Sequence, residues 1–287
     1  MNRAARLLTA AALAALAAAA GACGDAGPVP PPVVLATTTT IEDSGLLDAL
    51  VPAARAATGV EVKPVVMGSG EALALARRGE VDILLTHSPA AEERFVKDGF
   101  GLARTPILRN DFVVVGPEGD PAGVRGAGSA VEAFARIGRA AGEGRALFVS
   151  RADGSGTHVR EQDLWRKAGA RPPAARLVET GAGQGATVRV ADERGGYALC
   201  DRATFAAIEG QVSLRVHVEG GAGLENIYSA VLVAPARVVR GNAEGARRLH
   251  DFLTGEGGRG AAAGAGRDRA GRPLFEWIGP AGPRTAP

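Results

Sequence analysis

Cysteine is scarce in this sequence, and its charges nearly cancel. The 287 residues include two cysteines and 33 basic against 31 acidic residues. No internal disulfide is expected, because Cys23 ends a leader segment and Cys200 stands in an apolar string typical of a buried strand. Without a basic excess, nothing in the sequence favours binding to a nucleic acid. Aromatic residues are also few, at 4%, but the hydrophobic fraction of 46% suffices for a core.

Long hydrophobic runs are missing except near the N-terminus. Arg3 and Arg6 precede an apolar run over residues 7–20, and small residues follow as far as Ala22. This pattern predicts a secretory signal over residues 1–22. The run is short for a membrane span, which needs about 20 apolar residues. Removing the signal takes away two arginines and no acid, which leaves a net charge of zero.

The residues after the signal predict a membrane tether. Residues 20–23 read Ala-Gly-Ala-Cys and resemble a bacterial lipobox, in which the cysteine is lipidated, although such motifs usually carry leucine three residues before it. Simple cleavage after Ala22 is the alternative. Residues 23–32 are rich in glycine and proline and predict an extended spacer. We therefore expect an exported protein, either periplasmic or anchored through Cys23 to the outer face of a membrane.

The rest of the chain alternates strand-like and helix-like segments, a rhythm that predicts an α/β fold with a mostly parallel sheet and covering helices. Residues 255–272, rich in glycine, alanine and arginine, predict a loose segment, and residues 275–277 a docked tail. The predicted strands are 33–36, 60–66, 81–85, 112–115, 147–149, 176–178, 196–200, 212–218 and 228–233. The predicted helices are 46–57, 71–78, 90–98, 131–141, 159–168, 187–193 and 243–253.

Four loops between a strand and a helix are rich in glycine and in small hydroxyl residues. Helix N-termini carry unpaired N–H groups and a partial positive charge, and glycine lets a ligand approach the backbone. Such loops gather at the carboxyl ends of the strands, so together they predict a cleft for a small anion. Arg151 adds a fixed positive charge and forked donors. The loops are residues 37–40, 68–70, 150–157 and 179–185.

A simpler interpretation exists for each loop alone. Thr39, Thr40, Ser69 or Ser155 could cap a helix without binding any ligand. Arg151 distinguishes the two interpretations, because capping does not require an arginine. The alternatives for Arg151 itself are a surface arginine or an arginine paired with Asp153. The four loops together favour anion binding.

Several segments resemble the tungstate-binding proteins of bacterial ABC importers. They are residues 35–47, 66–73, 110–117, 150–158, 179–181 and 201–202. The resemblance extends over residues 33–253 and implies a two-lobed type II periplasmic-binding-protein fold. Each lobe would be a mixed sheet flanked by helices, and two hinge crossovers would lie near residues 111–115 and 228–233. Lobe 1 would then contain residues 33–115 and 229–287, and lobe 2 residues 116–228.

The resemblance also implies a binding mechanism in which the lobes close on a dianion and the closed form docks on a permease with its ATPase. Lobe 1 would donate from Thr38, Thr39 and Ser69, and lobe 2 from Arg151, Ser155, Gly156 and Thr157. The protein would be monomeric and not an enzyme, without cofactor or metal. We expect Arg151→Ala to weaken binding far more than His87→Ala.

The identity of the anion rests on a missing carboxylate. Phosphate keeps a proton near neutrality, so a selective phosphate site needs an acceptor for it, whereas tungstate and molybdate are fully ionised. Phosphate-binding proteins of similar pattern carry that carboxylate soon after the strand that matches residues 81–85. This sequence has Thr86-His87-Ser88 there. Tungstate is expected first and molybdate next, with phosphate or sulfate as the alternative.

Two other functions have partial support. Gly181, Gly183 and Ala186 fit a dinucleotide-binding motif, with Asp201 about 20 residues further on. Ser155 and His158 lie close in sequence, but the nucleophile motif G-x-S-x-G of hydrolases is absent. The other histidines lack metal-ligand spacing, and no repeat favours an adhesive role.

Overall fold

Ten strands build the sheets in the part of the chain that the structure describes. The computed structural model describes residues 30–239 and 241–280, and the described residues from Pro32 onward belong to one compact unit. The predicted signal, Cys23 and most of the tether lie outside the described residues. The strands are β1 (Val33–Thr38), β2 (Val62–Met67), β3 (Ile83–Thr86), β4 (Gly101–Gly116), β5 (Phe148–Ser150), β6 (Leu177–Glu179), β7 (Ala198–Asp201), β8 (Arg215–Glu219), β9 (Glu225–Val233) and β10 (Glu276–Trp277).

Ten helices accompany these strands in the described residues. None of them combines the length and the hydrophobicity that a membrane span requires. The helices are α1 (Thr39–Asp43), α2 (Leu46–Thr58), α3 (Ser69–Arg77), α4 (Pro89–Lys97), α5 (Ala130–Gly142), α6 (Gly156–Ala168), α7 (Gln184–Arg194), α8 (Arg202–Ile208), α9 (Ala243–Thr254) and α10 (Glu256–Gly264).

The first group of strands runs in the order β10-β4-β9-β3-β1-β2. Strand β1 pairs in parallel with β2 and β3, because a helix connects each strand to the next. The pairs β3–β9, β4–β9 and β4–β10 are antiparallel. This sheet is therefore mixed rather than mostly parallel, and its parallel part consists of β1, β2 and β3.

Strand β4 is shared by two groups of strands. Its residues from Gly101 to Asp111 pair with β9, and those from Phe112 to Gly116 pair with β7 and β8. A second parallel pair, β5–β6, lies beside β7 through a bridge between Phe148 and Tyr197. One continuous strand thus links the two halves of the molecule.

The second passage between the halves lies just before β9. The Phe112 N–H donates to the Leu224 carbonyl oxygen at 2.7 Å, and from Glu225 onward the chain pairs with β4 residues of the first group. Because all of β9 pairs with β3 and β4, this passage precedes the predicted crossover at residues 228–233. The division into lobes at residues 115/116 and 228/229 stays a prediction.

The prediction of a loose segment over residues 255–272 is wrong for its first half. Helix α10 occupies Glu256–Gly264, and its Ala261 and Ala262 are buried against the core that α2 and α9 share. A Cβ placed on Gly258 would lie 2.3 Å from the Leu253 carbonyl oxygen. Glycine disfavours helices, yet its small size permits this close packing, and tertiary packing supplies most helix stability in proteins.

The docking of α10 can be tested by placing a charge on each of its two faces. Ala262 is 4% exposed, whereas the neighbouring Ala263 faces solvent. Ala262→Asp should lower the free energy of unfolding by about 3 kcal/mol or more, because it buries an unpaired carboxylate. Ala263→Asp is the matched control and should change it by less than about 1 kcal/mol. Equal effects in urea denaturation would mean that α10 does not pack as described.

Candidate functional site

Arg151 is the centre of the candidate site. It follows β5, and although it is a long charged residue it is only 1% exposed. One terminal nitrogen, Nη1, donates to Thr157 Oγ1 at 3.4 Å. The other, Nη2, donates to Thr39 Oγ1 at 3.2 Å and to Asp153 Oδ2 at 2.5 Å. The Nε atom is buried and has no hydrogen-bond partner among the described residues.

The turn from β5 to α6 gives Arg151 its orientation. Ala152 and Gly154 both adopt positive φ angles, 49° and 70°, which fold the turn tightly. Ser155 caps α6, since its Oγ accepts a hydrogen bond from the His158 N–H at 3.3 Å. The first N–H groups of this 13-residue helix are therefore presented beside Arg151.

Thr39 faces the site, but the hydroxyl of Thr38 turns inward. Strand β1 runs directly into α1 at these two residues. Thr39 accepts the hydrogen bond from Arg151 across the cleft. Thr38 is 2% exposed, and its Oγ1 lies 2.8 Å from Thr40 Oγ1. The structure thus pairs the Thr38 hydroxyl with the protein interior.

Ser69 opens α3 on the same side of the cleft. It is fully buried, and its Oγ lies at the hydrogen-bond limit of 3.5 Å from the His87 N–H. The preceding Gly68 approaches Ser155 so closely that a Cβ on Gly68 would lie 3.6 Å from the Ser155 Cα. The loops that contain Ser69 and Ser155 are therefore in contact.

Glycine makes the closest approach across the cleft possible. A Cβ on Gly156 would lie 2.8 Å from the His87 carbonyl oxygen and 2.9 Å from its ring. A Cβ on Gly70 would lie 3.2 Å from the Gly154 carbonyl oxygen. The structure thus brings together the turns of all seven predicted site residues, although Thr38 directs its hydroxyl elsewhere.

The fourth predicted loop, residues 179–185, joins the cleft from the side. The Gly185 N–H donates to Asp43 Oδ2 at 3.2 Å, and Gly183 lies against Thr39. Gln184 is fully buried and donates through Nε2 to the Leu199 carbonyl oxygen at 3.0 Å. This loop adds further contacts between the two halves of the molecule.

His87 lies at the candidate site, although it is not among the site residues predicted from the sequence. It is 4% exposed, its Nδ1 lies 2.8 Å from Asn226 Oδ1, and its ring stacks on Tyr228 at 4.8 Å. Burial lowers the pKa of His87 to about 4, although the hydrogen bond that His87 Nδ1–H donates to Asn226 Oδ1 acts in the opposite direction. The ring is therefore neutral at pH 7. Its position directly after β3, in another strand-to-helix loop, was the signal available in the sequence.

A buried carboxylate, Asp201, lies where the two halves meet. Its oxygens accept hydrogen bonds from Asn110 Nδ2 at 2.9 Å, Asn226 Nδ2 at 2.7 Å and the Tyr228 hydroxyl at 2.7 Å. It also caps α8 by accepting from the Ala203 and Thr204 N–H groups. Burial raises the pKa of Asp201, and these donors oppose that rise.

The Asp201 cluster reaches the candidate site through one more link. The oxygens of Tyr228 and Thr40 are 3.1 Å apart, and Thr40 in turn contacts Thr38. Asn110 lies on β4 and Asn226 on β9, next to the two passages between the halves. The hinge and the β1–α1 turn therefore share one hydrogen-bond network.

The dinucleotide and hydrolase interpretations find no matching geometry. Asp201 is fully buried, and both of its oxygens already accept hydrogen bonds, so it is not available to a ribose. The His158 ring accepts from the Gly154 N–H at 3.0 Å and contacts Gln162, whereas Ser155 Oγ accepts from the His158 backbone. In the described part of the chain, no group of three His, Cys, Asp or Glu residues could hold a metal ion.

A cleft of about 570 Å³ lies beside the candidate site and between the two halves. His87, Phe112 and Asn226 line it, together with Gly70 and Gly156. Arg94 and Arg160 also line it. Of the predicted site residues, Gly156 is the one that lines this cleft.

Comparison with known proteins identifies the class. Residues 17–255 match the family model described as a PBP superfamily domain. The chain belongs to the PBP superfamily, the periplasmic binding proteins. It is 38% identical over 245 residues to the tungstate-binding protein TupA of Peptoclostridium acidaminophilum, covering 85% of this chain and 84% of that protein.

Two solved structures agree with this comparison. The tungstate ABC transporter structure from Geobacter sulfurreducens is 39% identical and has a TM-score of 0.72, covering 80% of this chain and 97% of that chain. The tungstate-binding protein TupA of Desulfovibrio alaskensis G20 is 38% identical with a TM-score of 0.70, covering 87% of this chain and 100% of that chain. The predicted type II fold and the resemblance to tungstate-binding proteins are confirmed.

The buried neutral state of His87 predicts a pH dependence of stability. The pKa of His87 is about 4 in the folded protein, against the ordinary value of 6.5 that applies to the unfolded chain. Between pH 4 and pH 6.5, the unfolded chain therefore binds a proton that the folded protein does not. Stability should therefore fall as pH falls through that window, and at pH 5 the loss from His87 should be about 2 kcal/mol. In urea denaturation at pH 7 and pH 5, His87→Gln should remove that part of the loss. An identical pH dependence in wild type and variant would contradict the assignment.

Proposed function

We propose that this protein is the extracytoplasmic substrate-binding component of an ABC importer and that it captures a tetrahedral oxyanion, tungstate first, between its two halves. The observation that carries the proposal is the buried guanidinium of Arg151 with its unpaired Nε. Thr38, Thr39, Ser69, Ser155, Gly156 and Thr157 remain the proposed neighbours of the anion.

A buried guanidinium favours an anionic ligand because arginine keeps its charge at any ordinary pH. Asp153 supplies one negative charge, but it also accepts from the Ser155 N–H at 3.0 Å. The N-terminus of α6 adds partial positive charge on the same side. A dianion at this position would satisfy Nε and the free N–H groups of the helix together.

The arrangement of carboxylates supports an anion without a proton. Asp153 has both oxygens engaged, one by Arg151 and one by the Ser155 N–H. Glu92, the next acid after β3, is fully buried and accepts from Arg104, Thr86 and the Ser88 N–H. A protonated phosphate would therefore find these carboxylates occupied, whereas tungstate and molybdate need no acceptor.

The relatives support the choice of tungstate, since the similar proteins from Peptoclostridium acidaminophilum and Desulfovibrio alaskensis G20 are named for tungstate binding. By the same analogy we propose export, a periplasmic or membrane-anchored position, delivery to a permease with its ATPase, and a monomeric, non-enzymatic role. Lipidation of Cys23 belongs to this proposal and is tested by mass spectrometry of the mature N-terminus.

The proposed ligand is tested by calorimetric titration of the protein without residues 1–22. Tungstate, molybdate, sulfate and phosphate are added separately at pH 7.5. We expect tight binding of tungstate and little or none of phosphate. Tight phosphate binding would contradict the assignment of tungstate as the ligand but not the assigned fold. The absence of binding to all four anions would overturn the proposed function.

Arg151 is tested by substitution in the same titration. Arg151→Ala should weaken tungstate binding by about a hundredfold or more, because it removes a charged donor from a buried site. Arg136→Ala is the matched control, since Arg136 lies on α5 and pairs with the exposed Glu132. His87→Ala should have a smaller effect than Arg151→Ala. Equal, small effects of the Arg151 and His87 variants would contradict the site assignment.

A further inference from the structure

Glu161 lies beneath the turn that carries Arg151. It is on α6, five residues after Gly156, and is 2% exposed. Its carboxyl group lies near the Ser150 hydroxyl and the Arg151 backbone N–H, which both lower its pKa. The Ser150 hydroxyl oxygen accepts from the Ala152 N–H at 3.2 Å. Glu161 is thus placed against the backbone from which the Arg151 side chain extends.

The charge of Glu161 is finely balanced. Burial raises its pKa to about 7, and the hydrogen bonds from Ser150 and Arg151 oppose that rise. The Oε1 atom is buried and has no hydrogen-bond partner among the described residues. Arg171 is the charged group that acts on it from the loop after α6. Because neither form is strongly favoured, one further charge nearby decides which form prevails.

We propose that Glu161 is a positioning residue of the anion site that takes up a proton when the oxyanion binds beside Arg151. The inference rests on the proposed function, because it requires an anion at that position. Proton uptake neutralises the Glu161 carboxylate when the negatively charged anion binds, so two negative charges are not buried side by side. The neutral carboxyl keeps an acceptor oxygen for the Arg151 N–H, so the turn retains its support.

The sign of the effect follows from linkage. A dianion near Glu161 disfavours the ionised carboxylate and raises its pKa in the complex above that in the free protein. Between these two pKa values, binding takes up a proton, and affinity falls as pH rises. The slope is at most about tenfold per pH unit for one proton. His87, with a pKa of about 4, is neutral throughout this range.

The test is calorimetric titration with tungstate from about pH 6.5 to about pH 8.5, in pairs of buffers that differ in ionisation enthalpy. Wild-type protein should take up a measurable fraction of a proton per tungstate, at most one, near pH 7.5. Its affinity should fall several-fold across this range. Glu161→Gln should show no proton uptake and an affinity that does not depend on pH.

Two control variants separate Glu161 from its surroundings. Glu132→Gln removes an exposed acid at the start of α5 and should keep the wild-type proton uptake. His158→Gln removes the imidazole nearest to the turn on α6. If the uptake vanished in His158→Gln, or persisted in Glu161→Gln, the inference would be overturned.

Infrared difference spectra of the wild-type protein give a second measurement that does not depend on any variant folding. Adding tungstate should produce the C=O stretching band of a newly protonated carboxyl group. Tight tungstate binding without this band or without proton uptake would overturn the role of Glu161 and leave the proposed function intact. The absence of tungstate binding at every pH would instead overturn the proposed function.

Discussion

The structure depends on keeping one guanidinium out of water. Burial of a single charge costs several kcal/mol unless partners compensate it, and Arg151 is 1% exposed. Asp153 supplies the countercharge, Thr157 accepts from within the same turn, and Thr39 accepts from the other side of the cleft. Because Thr39 lies on the other half, the Arg151 guanidinium gains this hydrogen bond only when the two halves are close together. The remaining donor, Nε, has no partner among the described residues, and the proposed anion would accept a hydrogen bond from it.

The halves approach this closely because the hinge and the cleft surfaces permit it. Strand β4 passes through both groups of strands without interruption, so the halves share one continuous backbone. Asp201 ties β7 to β4 and β9 through Asn110 and Asn226. Across the cleft, Gly156 lies where any side chain would meet His87. Hydrogen bonds from Asp201 through Tyr228 to Thr40 also connect the passages between the halves with the β1–α1 turn.

Local patterns predicted most elements well where one face is apolar and the other polar. Helices α5 and α9 have this pattern and begin and end within two residues of the prediction. Four elements were missed in whole or in part: the short helices α1 and α8, the first half of β4, and α10. The first half of β4 is partly exposed and carries polar residues and Pro106. It therefore lacks the apolar pattern of a buried strand and was not predicted. Helix α10 was missed because glycines weaken its helical signal, and two of them, Gly257 and Gly258, permit close packing against the end of α9.

The sequence by itself determined the succession of strands and helices, the loops of small hydroxyl and glycine residues, and the one arginine that pointed to an anion. These features are local, because they depend on residues a few positions apart. Only the tertiary structure decided which groups meet at the candidate site. His87 and Asn226 are 139 residues apart and meet at 2.8 Å. Arg151 and Thr39 are 112 residues apart and likewise meet only through the packing of distant segments, because hydrogen-bond partners are set by three-dimensional proximity.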